Sequence, residues 1–161
     1  MVPHLIFRST GTQADDSLLA RARALQRVAQ SGPMQPLLRG KNLGLLCEAD
    51  DADADLFRCA ASELGAHVAR IKPSLSHLYC PTEVQRTARM LGRLYDAVEC
   101  QGMAPALVQQ VGDGAGVTIY DGVASPRHPT AQLAKQLGGD AAEADKRRFI
   151  LQAVLLSSLG A

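Results

Sequence analysis

The feature that most constrains this chain is an alternation of short apolar runs with segments whose apolar residues follow helical spacing. LGLLCE (43–48), AHVARI (66–71), YDAVEC (95–100) and GVTIYDG (116–122) read as strands. Between them lie a helix around Leu56 to Leu64, a helix opened by Pro81 with Val84, Ala88 and Leu91 on one face, and a short helix over 104–111. A further helix precedes the first strand. Asp15, Asp16 and Ser17 supply its start, Leu18, Leu19, Ala22, Leu25 and Val28 its apolar side, and Ser31-Gly32-Pro33 its end. Two helices follow the last strand. Gly138-Gly139 closes the first, and Asp140 with Glu143 has capping-box spacing for the second, where Phe149, Ile150, Ala153, Val154 and Leu156 form a broad apolar face. Lys146, Arg147 and Arg148 are expected to face water. Strands spaced by helices pair in parallel, so the expected class is α/β, a three-layer parallel sheet of about four strands flanked by helices.

At 161 residues the chain suits one domain, read as residues 1–161, with 1–12 as a leader and about 140–159 as a closing helix. Three Phe, three Tyr and no Trp leave the core to Leu, Val and Ala. The formal charge of +1 offers no global field for nucleic acid or a membrane surface. No apolar run approaches a membrane span, and MVPHLIFRSTG lacks the pattern of a secretory leader. Cys47, Cys59, Cys80 and Cys100 are widely spaced with no CxxC, so they read as reduced thiols, mostly buried, in a cytoplasmic protein. His4, His67 and His77 show no metal-ligand spacing, and no cofactor is expected.

The loudest chemistry lies in Glu48 to Asp55, where Glu48, Asp50, Asp51, Asp53 and Asp55 occur without a basic residue. The segment ends a strand and opens a helix, the usual ligand position in an open α/β sheet. Its plain reading is a well-capped, solvated helix start. The sharper one is a site for a cation or a basic small molecule, though the spacing is not that of an EF-hand. Gly112-Asp113-Gly114-Ala115-Gly116 precedes a strand instead of following one, so it reads as a loop and not a dinucleotide fingerprint. His128, in SPRHPTAQ, stands after a strand at a helix start, where an imidazole can donate to a ligand carbonyl or simply cap the helix. Ser125 and Asp121 are near it, but no strained nucleophile turn surrounds Ser125.

Taken in order, LRGKNLGLLCE, RTARMLGRLYDAVECQG and YDGVASPRHPTAQLA resemble the aspartate/ornithine carbamoyltransferase family, and EADKRRFILQAVLLSSLG is similar to that family's final helix. The resemblance implies a carbamoyl-phosphate-binding domain whose first and last helices pack together, and a homotrimer. It also exposes departures. The family's Ser-Thr-Arg-Thr-Arg phosphate signature falls on Asp51, Ala52, Asp53, Ala54 and Asp55, so both arginines have become aspartates. A further family arginine falls on Gln101, the Gln of His-Pro-x-Gln falls on Ala131 with Gln132 beside it, and Pro81 stands where ornithine enzymes often carry Lys. His128 and Pro129 keep their identities. The family's second domain, between the His-Pro helix and the last helix, has no room in Leu137 to Asp140.

An arginine about 4 Å from phosphate gains roughly 4 kcal/mol at an effective dielectric near 20, and an aspartate there repels by a similar amount. The helix dipole returns about 1 kcal/mol. The leading expectation is therefore a carbamoyltransferase-like protein without carbamoyl-phosphate binding, acting as a non-catalytic binding or regulatory protein for its own kind or another protein. A second is a small-molecule binder using Asp50, Asp51, Asp53 and Asp55, with His128 across the pocket. A third is an active transferase with an altered site, in which Arg127 reaches the pocket. Candidate ligand contacts are Asp51, Asp53, Asp55, Gln101, His128 and Gln132, and His128 is the one retained catalytic candidate.

Overall fold

The computed structural model describes residues 6–7, 12–73 and 80–160. In chain order the elements are β1 (Ile6–Phe7), α1 (Thr12–Ser31), β2 (Asn42–Leu46), α2 (Ala52–Glu63), β3 (His67–Ile71), α3 (Pro81–Leu94), β4 (Ala97–Cys100), α4 (Pro105–Ala115), β5 (Thr118–Asp121), α5 (Thr130–Gln136) and α6 (Glu143–Ser158). The four expected strands form a parallel sheet, joined by β1 at one edge, in the order β1-β5-β4-β2-β3. Two residues read as leader thus pair with the sheet, Ile6 beside Ile119 and Phe7 beside Tyr120.

Side chains alternate across the sheet and feed two cores. Leu43, Leu45, Ala97 and Tyr120 face α1, α2, α5 and α6, while Leu46, Val98, Cys100 and Ile119 face α3 and α4. The aliphatic composition is adequate because small residues let the layers close. Helix α6 is the main cover of the first core, burying Phe149, Ile150, Leu151, Val154, Leu155 and Leu156 against α1, α2 and α5. The first and last helices do pack together, as the resemblance implies. Gln152, fully buried in α6, donates to the Ala60 carbonyl at 3.2 Å and to Glu63 at 2.8 Å, tying α6 to α2.

The structure corrects several local expectations. Helix α1 begins at Thr12, before Asp15. Helix α4 runs through Gly112, Asp113 and Gly114 to Ala115, so two of the glycines read as a loop are helical, while Gly116 ends the helix at a φ of 72°. Gly114 serves packing, as does Gly92 on the facing α3: a Cβ on Gly114 would sit 2.9 Å from the Ala88 methyl, and one on Gly92 would sit 1.7 Å from the Ala115 carbonyl oxygen. Helices α3 and α4 approach too closely for side chains there. The capping box does not form. Gly138 and Gly139 take positive φ (71° and 85°), and helix α6 starts after Ala142, which offers no side-chain cap. Arg147 and Arg148 are not turned to water; both reach back to carboxylates of α2. Of the cysteines, Cys47 and Cys100 are buried, whereas Cys59 and Cys80 are exposed. His4 and His77 lie outside the described residues.

Candidate functional site

The strand order places β2 beside β4, with their following helices α2 and α4 on opposite faces of the sheet. Such a switch point opens a crevice at the carboxyl ends of the strands. The acidic segment follows β2, Gln101 follows β4, and the loop from Asp121 to His128 follows β5, so these candidates share one edge of the sheet.

They do not share one site. Asp51 caps α2, its carboxylate accepting from the Ala54 N–H at 2.8 Å. Asp50 pairs with Arg70 of β3 at 3.0 Å, and Asp55 with Arg58 at 3.1 Å. Asp53 faces Arg147 of α6 at 3.8 Å, and the same guanidinium donates to the Ala124 carbonyl. The acidic side chains therefore fan out to different partners. Among the described residues no three His, Cys, Asp or Glu side chains are grouped to hold a metal ion. The plain reading of the segment, a capped and solvated helix start, describes Asp51 well but misses the tie from Asp53 to the last helix.

A second arrangement lies around His128. A cavity of about 550 Å³ opens at the ends of β4 and β5, with Gln101, Met103, Asp121, Ser125, Arg127 and His128 in its lining. No residue of the acidic segment lines it. The His128 ring is buried, and its Nδ1 accepts from the Thr130 N–H at 3.2 Å. The Thr130 hydroxyl lies 3.0 Å from the same nitrogen and donates to the Val123 carbonyl at 3.0 Å. A peptide N–H can only donate, so Nδ1 lacks a proton and Nε2 is the ring's donor. Gln101 anchors its backbone N–H on the Leu46 carbonyl at 2.8 Å, and its side-chain oxygen is buried with no hydrogen-bond partner among the described residues. Arg127 is exposed at the rim, its N–H donating to the Ser125 hydroxyl at 3.2 Å. Gln132 is exposed on α5 and does not line this cavity.

Beneath the loop lies a residue that sequence reasoning passed over. Glu99 of β4 is fully buried and accepts from the Val123 and Ala124 N–H groups at 3.2 Å each. Burial pushes its carboxyl up to about 8, against the opposing pull of those peptide donors. Nothing in YDAVEC distinguished this Glu from a surface residue, except that a charged residue inside a strand buried on both faces needs a partner. Burial likewise pushes the Cys100 thiol far up, so Cys100 is no thiolate nucleophile. Chemically, the cavity is lined by a carboxamide, a buried imidazole and one exposed guanidinium, a set without the converging cations that hold a dianion.

No protein-family model matches the chain. Ornithine carbamoyltransferase of Cutibacterium acnes is 38% identical over 121 residues, 74% of this chain and 36% of that protein. The enzyme of the same name from Actinobacillus pleuropneumoniae serotype 5b is 37% identical over 121 residues, again 74% of this chain and 36% of its own length. The chain thus spans little more than a third of the curated relatives it matches. Among solved structures, ornithine carbamoyltransferase from Pyrococcus furiosus superposes with a TM-score of 0.67 at 22% identity, over 78% of this chain and 40% of that one. Aspartate transcarbamoylase from Trypanosoma cruzi gives 0.68 at 22% identity, over 83% of this chain and 46% of that one. These two share the fold.

Proposed function

Since this chain is homologous to the ornithine and aspartate carbamoyltransferases over part of their length, we propose that it has lost carbamoyl-phosphate binding and carbamoyl transfer and acts as a non-catalytic binding or regulatory protein. One observation carries the reading. Where the family likeness calls for two phosphate-binding arginines, this chain has Asp53 and Asp55, with Asp51 at the head of the signature, and each of the three is engaged by a group of the protein itself. The arginines beside that segment are committed as well, Arg70 to Asp50, Arg58 to Asp55, and Arg147 to Asp53 and the Ala124 carbonyl. A dianion entering there would meet carboxylates in place of guanidinium groups, a reversal worth several kcal/mol at an effective dielectric near 20. The path from α5 to α6 supports the same reading, because residues 137–142 complete it and leave no segment for an amino-acid-binding domain.

The test is a calorimetric titration with carbamoyl phosphate at low salt, beside an assay for citrulline and carbamoyl-aspartate. No heat at millimolar ligand and no product is the expected result. Saturable binding would mean that other groups have replaced the arginines, and product would establish transfer. Two finer elements belong to the proposal, a homotrimer, which rests on the family likeness, and a cytoplasmic location, which rests on the widely spaced cysteines. A concentration-independent monomer in light scattering would remove the homotrimer.

A second reading has an observation of its own. The cavity beside Gln101 and His128 favours a small-molecule binder. In that reading the contacts are Gln101 and His128, and the acidic segment, which does not line the cavity, serves the fold.

A further inference from the structure

Helix α5 runs into α6 through residues 137–142, and this turn encloses with α1 a cavity of about 600 Å³. It shares no lining residue with the cavity at Gln101 and His128. Leu137 and Phe149, each only 5% exposed, give it an apolar lining. Its charges are sorted by wall. Arg23 and Arg27 stand one helical turn apart on α1. The turn supplies Asp140, and the start of α6 supplies Asp145.

The two signs border one cavity without meeting. Among the described residues no carboxylate lies within 4.0 Å of Arg23 or Arg27, and no basic nitrogen lies that close to Asp140. Arg23 donates to the carbonyl of Gln136, the last residue of α5, at 3.3 Å, which leaves its charge unpaired. Arg148, which also lines the cavity, is shared between Asp145 at 2.6 Å and Glu63 at 3.1 Å, so it does not neutralise the acidic wall. The walls already touch at one point, since a Cβ on Gly139 would meet Gln26 Nε2 at 3.6 Å. They do not close further to join the charges.

A simple anion would satisfy the arginines and be repelled by Asp140 and Asp145. A simple cation would meet the reverse. A ligand carrying both signs answers both walls. An α-amino acid hydrogen-bonded at both ends spans on the order of 9 Å, and a volume of about 600 Å³ falls within the ordinary range for small-molecule sites.

We infer that this cavity is a binding site for a small zwitterion of the α-amino acid type. Its carboxylate is held by Arg23 and Arg27, its ammonium group by Asp140 and Asp145, and its side chain lies against Leu137 and Phe149. The site goes beyond the proposed binding role by giving it a ligand class. None of its residues enters the carbamoyl-phosphate reading, so a positive carbamoyl-phosphate titration would leave it untouched.

The test uses the full chain and each standard α-amino acid in turn at millimolar concentration, read first as a rise in the thermal unfolding midpoint and then by calorimetric titration. At least one amino acid is expected to bind saturably. Its N-acetyl derivative and its amide, which each lack one of the two charges, should bind at least tenfold more weakly. The variants R27E and D140K, each changing an exposed side chain, should weaken binding by a similar factor, with circular dichroism verifying that they remain folded. Absence of saturable binding by every amino acid would overturn the inference. Equal binding of the N-acetyl derivative would overturn it in favour of a plain anion site, and equal binding of the amide in favour of a plain cation site. Unchanged binding in both variants would also overturn it, because the ligand would then sit elsewhere.

Discussion

At the scale of single residues, the most informative side chain is Glu99. It sits at the end of β4 and holds the loop that carries His128, through the peptide N–H groups of Val123 and Ala124. Burial raises its carboxyl from the ordinary 4.5 to about 8, so the folded state keeps a proton that the unfolded chain releases. For a group raised in this way, the stability it contributes is complete below 4.5 and is lost as pH rises through about 8. The midpoint of thermal unfolding is therefore expected to fall across that window, and E99Q should flatten the fall because its amide does not ionise there. Matched melting curves of the two proteins from pH 5 to 9 check this, and parallel curves would show that Glu99 is not the titrating group. His128 was legible as a candidate from its place after a strand. The tautomer was not, because it depends on how the turn folds Thr130 back onto Nδ1.

Among the elements, the α3–α4 pair shows how tightly backbone approach limits the sequence. Gly92 places α3 against the last turn of α4, where a Cβ would lie 1.7 Å from the Ala115 carbonyl oxygen. Alanine is the better helix former by about 1 kcal/mol, so propensity alone favours G92A. The contact opposes it, because overpacking of this kind costs about 1–3 kcal/mol and here the obstacle is rigid backbone. The expected outcome is a net loss of stability of about 2 kcal/mol, measured by urea unfolding, and an unchanged midpoint would mean that the helices can separate. The same contact explains why Gly112 to Ala115 was misread as a loop. Glycine weakens a helix by its intrinsic preference, and the reason to keep it there lies on the neighbouring helix.

For the molecule as a whole, α6 decides whether the first core is closed. Its six large apolar side chains, at about 1.5–3 kcal/mol each, contribute roughly 9–18 kcal/mol before allowance for residual burial in the unfolded chain, comparable to the whole stability of a domain. Gln152 and the pairs Arg147–Asp53 and Arg148–Glu63 fix its position against α2. We propose on this basis that residues 1–161 act as one folding unit. A chain ending before Asp140 is expected to lose its cooperative unfolding transition, and a sharp transition in that shortened chain would show that the sheet and the first five helices suffice.

The alternation of short apolar runs with helical periodicity determined the fold class, because strands buried on both faces and amphipathic helices have few ways of hiding their apolar surface. The family likeness was legible in three motifs, and so was the exchange of phosphate-binding arginines for aspartates at 53 and 55. Only the tertiary structure decided what those aspartates do. Asp53 meets Arg147, a residue far along the chain, and that pairing follows from α6 packing beside α2, not from any local pattern. Burial of Glu99 and the separation of the acidic segment from the His128 cavity are likewise matters of distance in space. Local periodicity reports which face of an element is apolar, whereas charge pairing depends on which elements the closed core brings together.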